Sequence, residues 1–244
     1  KKSKDRIIIS NDRNLETNIK VLDNLSLSTT DVKLYGLYDP DRNNFDLNMW
    51  SGSDGSNIKN IIKRIDNLVL SSTAEKIFLN TMLSYSYLPK NISESEFLNV
   101  KINWLIKNKK DEILENFLDR NAEFDNKKKV IQYLVDRNIA NSNLKLGCEK
   151  ATYIGKEIKD SYLEKFKIYC LVLNKKNNQA QLLYDILKEQ DQSDKYFDEK
   201  INFLLGVTDE VSNQIKDDTL LNFYLASVTV KDFKYEPTKK TKKS

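Results

Sequence analysis

A six-residue phrase recurs in this chain at multiples of one interval. Lys101-Ile102-Asn103-Trp104-Leu105-Ile106 returns as Lys167-Ile168-Tyr169-Cys170-Leu171-Val172, then as Lys200-Ile201-Asn202-Phe203-Leu204-Leu205. The offsets are 66 and 33 residues, so the period is 33. That length holds two helices and their turns, a unit too small to bury its own apolar face without neighbours. The spacing therefore predicts an all-α chain of stacked helical hairpins.

Composition agrees. Six glycines and three prolines in 244 residues are too few for the turns of a β-sandwich or the loops of a parallel α/β fold. An apolar share of 39% against 31% charged suits a chain with much surface for its core, as an elongated stack has. No stretch approaches the ~20 apolar residues of a membrane span, so no transmembrane segment is expected. The chain opens Lys1-Lys2-Ser3-Lys4-Asp5 without an initiator methionine. It reads as a processed product, which would imply export, or as a cut fragment.

Residues 1–55 stand apart from the rest. Ile7-Ile8-Ile9 and residues 32–38 are short runs without helical period, and Asp39-Pro40-Asp41 reads as a turn. This stretch is expected to be an irregular arm with a short helix near 14–22 and a strand pair. Trp50 at its end reads as an anchor onto the helical body or as an aromatic platform for a ligand.

From Ser56 the period turns helical. Ile58, Ile61, Ile62, Ile65 and Val69 form one apolar stripe. Ser72 with Glu75 forms a capping box, and Phe78, Met82 and Tyr85 carry the next stripe as far as Pro89. Ser93 with Glu96 forms a second box and starts the helix of the first phrase. Breaks at Asn108-Lys109-Lys110 and Asn174-Lys175-Lys176 separate helix partners. Further helices are expected through Ile113, Leu114, Phe117 and Leu118 and near 128–137, 144–158, 162–173, 178–189, 195–206, 209–216 and 219–228. Short loops force successive helices to lie antiparallel. The expected organisation is an arm over 1–55, a solenoid domain over 56–230 and a disordered basic tail over 231–244, from which Phe233 and Tyr235 can dock.

Cys148 and Cys170 are equidistant from residue 159, inside the turn expected between helices 144–158 and 162–173. Each sits on the apolar stripe of its helix, so the two lie at one height of a hairpin. Gly147, Ala151 and Gly155 add a strip of small residues that lets two backbones approach. The pair reads as a structural disulfide of an exported protein or as two buried thiols of a cytosolic core.

Forty basic and 36 acidic residues give a net charge of +4, with the signs interleaved. The lysine runs at 127–129, 109–110 and 239–243 read as solvated faces and a tail, and nucleic acid is not expected as a partner. The chain has no histidine. Triads that need an imidazole base are therefore excluded, as are histidine-ligated haem and a four-ligand structural zinc, since only two cysteines remain. Gly52-Ser53-Asp54-Gly55 lacks the Lys-Ser/Thr of a phosphate loop.

The layout of residues 94–206 resembles the tetratricopeptide-repeat superfamily and its Sel1-like relatives, and the stretch 162–187 is similar to one of their units. Ala180 falls where that family places a small residue. Asn174-Lys175-Lys176 replaces its turn glycine, and its terminal proline is missing. The resemblance implies a right-handed α-solenoid of stacked antiparallel helix pairs. The chain also looks like exported bacterial helical-repeat proteins that carry no assigned activity. The stretch Ser93-Glu94-Ser95-Glu96 is similar to the catalytic Glu-Ser segment of lytic transglycosylases, but it reads better as a helix cap.

The sequence thus points to a non-enzymatic scaffold that binds a protein or peptide partner in a bacterial cell envelope, periplasmic or otherwise exported. The alternative is a helical accessory region of a larger peptidoglycan-acting enzyme. No residue is assigned as catalytic, cofactor-binding or metal-ligating, no cofactor is expected, and no binding face is identified. A cytoplasmic location stays open with the thiol reading.

Overall fold

The structure, a computed structural model, describes residues 34–121, 123–155 and 158–237. The expected helix near 14–22, the Ile7–Ile9 run and the lysines at 239–243 lie outside the described residues. Among the described residues there are ten α-helices and no strand. The chain divides into two compact units, residues 1–127 and 128–244.

In the first unit, α1 (Gly55–Ile65), α2 (Ser72–Leu83), α3 (Glu94–Lys107) and α4 (Asp111–Arg120) follow one another. The core is built on α3 and α4, with Phe97, Ile102, Leu105, Leu114 and Phe117 at 0–3% exposure. Ser93 and Glu96 form the expected capping box of α3. The α2 box does not form. Ser71 caps the helix instead, its hydroxyl accepting from the Ala74 N–H at 3.3 Å, while Glu75 pairs with Lys110. The stripes also end early. α1 stops at Ile65, which leaves Val69 fully exposed, and α2 stops at Leu83. Tyr85 lies in extended chain because its N–H is taken by the Tyr38 carbonyl at 3.0 Å.

That hydrogen bond belongs to a seam between the arm and the segment joining α2 to α3. The Leu37 N–H donates to the Leu83 carbonyl at 2.7 Å, the Tyr87 N–H to Leu47 at 2.7 Å and the Gly55 N–H to Lys90 at 2.8 Å. Two isolated bridges belong to this seam, Tyr38 with Ser84 and Asp54 with Lys90, while the strand pair expected within the arm falls partly on Ile7–Ile9, outside the described residues. Gly36 permits the seam: a Cβ there would stand 2.9 Å from the Leu83 carbonyl oxygen and the Tyr85 nitrogen.

The second unit holds α5 (Lys127–Ala140, starting at the junction), α6 (Leu144–Lys150), α7 (Ser161–Leu173), α8 (Asn177–Glu189), α9 (Lys195–Leu205) and α10 (Leu220–Thr229). α7 packs against α8 and α9, and α9 against α10. Phe166, Ile168, Ala180, Phe197, Ile201 and Leu225 are fully buried.

Two expected helices are corrected here. The helix over 144–158 ends at Lys150 and passes into a 3-10 turn at Ala151–Tyr153, where the Thr152 hydroxyl donates to the Glu149 carbonyl at 2.6 Å and competes with helical pairing. The helix over 209–216 does not form. The buried Lys200 ammonium takes the Ser212 carbonyl at 2.6 Å and the Tyr196 hydroxyl accepts from the Lys216 N–H at 3.4 Å, so both groups are engaged outside a helix. The start of the expected tail is docked: the Phe233 and Tyr235 rings stand edge-on to Phe223 at 5.6 and 4.8 Å.

The 33-residue interval reappears in the backbone at three helix ends. Lys109, Ser142 and Lys175 adopt φ of 53°, 56° and 59° after α3, α5 and α7. At each, the following N–H reaches the carbonyl five residues back: Lys110 to Leu105 at 2.9 Å, Asn143 to Asn138 at 2.8 Å and Lys176 to Leu171 at 2.8 Å. These are left-handed Schellman caps, with lysine or serine in the place usually given to glycine. Ile102, Ile168 and Ile201, the second position of the phrase, are all buried. The fourth position is not equivalent. Trp104 stands edge-on to Phe78 at 4.8 Å, Cys170 is bonded to Cys148, and Phe203 is half-buried near the end of α9.

Candidate binding groove and the disulfide

An open apolar concavity lies in the first unit, between α1 and α2. Each helix is fastened separately. Asp54 caps α1, accepting from the Ser56 N–H at 2.8 Å and the Ser56 hydroxyl at 2.6 Å, and it also accepts from the Asn91 side chain at 2.7 Å. These bonds, led by the Ser56 hydroxyl, hold the Asp54 carboxyl down at about 2. α1 is tied to α3 by the Lys59–Glu96 pair at 3.3 Å and by Lys107 and Asn108 on Asp66. α2 is tied by Phe78 on Trp104 and Glu75 on Lys110.

Between them remains a trough of about 410 Å³ with Trp50, Phe78 and Met82 among its lining residues. Ile61 and Ile77 also line it, yet they are 53% and 60% exposed. Leu68 and Val69, in the link between the helices, are 63% and 103% exposed. Trp50 therefore serves as the expected anchor, edge-on to Phe97 at 6.0 Å, and also as part of the trough wall.

The wall carries no titratable side chain. Its hydroxyl, on Thr81, already donates to the Ile77 carbonyl at 2.8 Å, and the Trp50 indole N–H is buried with no partner among the described residues. Such a lining offers contact area and no acid, base or nucleophile.

A second concavity of about 450 Å³ lies in the second unit and is acidic, with Asp136, Asp217 and Asp218 in its wall. Burial raises the Asp136 carboxyl, which accepts from the Tyr162 hydroxyl. Asp217 accepts from the Tyr235 hydroxyl at 2.5 Å and Asp218 from the Asn222 side chain at 2.8 Å. These carboxylates hold the helices and the docked 233–237 stretch in place.

Cys148 on α6 and Cys170 on α7 form a disulfide, with S–S at 2.08 Å and Cα atoms 5.4 Å apart. Of the small-residue strip, Gly147 makes the room: a Cβ there would meet Phe166 at 3.2 Å. Ala151 lies in the 3-10 turn and Gly155 beyond it. The lysine runs are partly engaged, Lys128 pairing with Asp160 at 2.9 Å and Lys110 with Glu75. Among the described residues no helix is long and apolar enough to cross a membrane.

The groove was hidden in the sequence because its residues sit on stripes that read as wholly inward. The one visible hint was Ile77, which stands beside the stripe that Phe78 carries and widens the apolar face of α2. Comparison with known proteins finds no matching family model, no similar curated protein and no similar solved structure.

Proposed function

We propose that this chain is a non-enzymatic helical scaffold that binds an amphipathic helix of a partner protein or peptide in the α1–α2 groove. The observation that carries this reading is the exposure of Ile61 and Ile77 on an otherwise apolar trough. Large side chains at 53% and 60% exposure on one concave surface gain by being covered. Two helices held apart over the 11 residues of α1 leave a slot about three turns long, the length at which apolar residues at i, i+3 or i+4 and i+7 can engage. The recurring caps after Lys109, Ser142 and Lys175 support a TPR-like reading of the helix pairs, a right-handed α-solenoid in the resembled family. The Cys148–Cys170 bond supports an oxidising compartment such as a bacterial periplasm.

Selection from a displayed library of amphipathic helices on the oxidised protein tests the reading. The expected winners carry apolar residues at helical spacing and lose binding to Ile77→Asp, which places a carboxylate at the groove mouth and leaves the core untouched. Winners that bind Ile77→Asp and wild type equally, or no winners at all, would remove the groove from the account.

A further inference from the structure

The first position of the repeated phrase is lysine, and two of its copies are buried. Lys200 is 0% exposed and its ammonium is satisfied by the Ser212 carbonyl. Lys101 is 4% exposed and is not satisfied in that way. Its Nζ stands 4.3 Å from the centre of the Phe97 ring, and no described carboxylate pairs with it. It lines a cavity of about 50 Å³ in the first unit, together with Tyr35, Ser86, Tyr87 and Glu94. Ser86 is 6% exposed, and its hydroxyl is buried with no hydrogen-bond partner among the described residues. Glu94 supplies a carboxylate to the wall, beside the Tyr35 hydroxyl, which burial and that carboxylate push up to about 12. One cavity therefore holds an amine and an unused hydroxyl, with space for a single small molecule, since a water occupies ~30 Å³.

We propose that this cavity is a carbon dioxide site, in which the Lys101 amine is reversibly carboxylated to a carbamate whose new carboxylate accepts from the Ser86 hydroxyl. The amine lone pair forms an N–C bond to the carbon of carbon dioxide. One C=O π pair moves onto oxygen, and the proton lost from nitrogen passes to the buffer. No oxidant, reductant or cofactor is required. Carbon dioxide, a triatomic molecule, is small enough to reach the Lys101 amine within this volume. Burial also pushes Lys101 down to about 7, so near pH 8 most of it carries the free lone pair that exposed lysines lack. Tyr35, Tyr87 and Glu94 are the other titratable groups facing the site.

The full-length oxidised protein, equilibrated with isotopically labelled bicarbonate at about pH 8, supplies the test. Carbamates are trapped by alkylation and located by peptide mass spectrometry, with the carbonyl signal followed by NMR. The expected result is a trapped carboxyl on Lys101, absent in Lys101→Met. Occupancy should fall by roughly tenfold in Ser86→Ala, the loss of one charge-assisted hydrogen bond. Ser86→Ala keeps the Lys101 amine and serves as the readout if Lys101→Met alters folding. Trapping confined to exposed amines, or equal occupancy of Lys101 in wild type and Ser86→Ala, overturns the proposal.

Discussion

At single residues, the informative positions are those whose chemistry disagrees with their place. Lys109 and Lys175 hold φ of 53° and 59°, a region that costs a side-chain-bearing residue about 1–2 kcal/mol. Lys175→Gly should therefore raise stability by roughly 0.5–1 kcal/mol after the greater entropy of glycine in the unfolded chain is counted, read as a shift in the urea midpoint. No gain would mean that the Lys175 side chain makes a compensating contact. Lys101 disagrees in another way. Burial lowers it from 10.5 to about 7. Between those values the unfolded chain holds a proton that the folded chain has released, so stability rises as pH climbs from 7 to 10.5. Below the folded value both states are charged and the full cost of burial is present. Lys101→Met should then exceed wild type in stability at pH 7, and its advantage should shrink toward pH 10 in buffer free of carbon dioxide. A pH-independent difference would show that Lys101 is solvated in the fold.

For the helices, periodicity located almost every element, and two of the exceptions share a cause. Tyr85 continues the stripe of Phe78 and Met82, but its N–H is claimed by Tyr38 across the arm. Residues 209–216 have helical composition, but Lys200 and Tyr196 engage the carbonyl of Ser212 and the N–H of Lys216. A buried ammonium needs an acceptor more than an exposed segment needs to be helical, because the segment can hydrogen-bond to water and the ammonium cannot. Lys200→Met should raise amide hydrogen exchange across residues 207–219 by roughly tenfold, the worth of one charge-assisted hydrogen bond, and leave α9 protected. Unchanged exchange in that segment would assign its order to other contacts. The Ser93–Glu96 box was legible because both halves are local. The α2 cap was misplaced by one residue because Glu75 found a distant partner, Lys110.

Over the whole molecule, two compact units carry separate cores, and the disulfide belongs to one of them. Calorimetry should show two transitions, with reduction lowering the one that belongs to residues 128–244. The chain-entropy estimate for a closed loop of about 20 residues is ~3 kcal/mol. If reduction moves both transitions equally, the units do not unfold separately. The sequence by itself determined the helical class, the interval of 33 and the facing cysteines, because spacing along a helix dictates which residues share a side. Where the α2 stripe stops, that residues 209–216 stay outside a helix, which lysines are buried and that α1 and α2 stand apart were decided only in the tertiary structure. Each depends on a partner remote in sequence, such as Tyr38 for Tyr85 or Ser212 for Lys200, and no local pattern encodes that meeting.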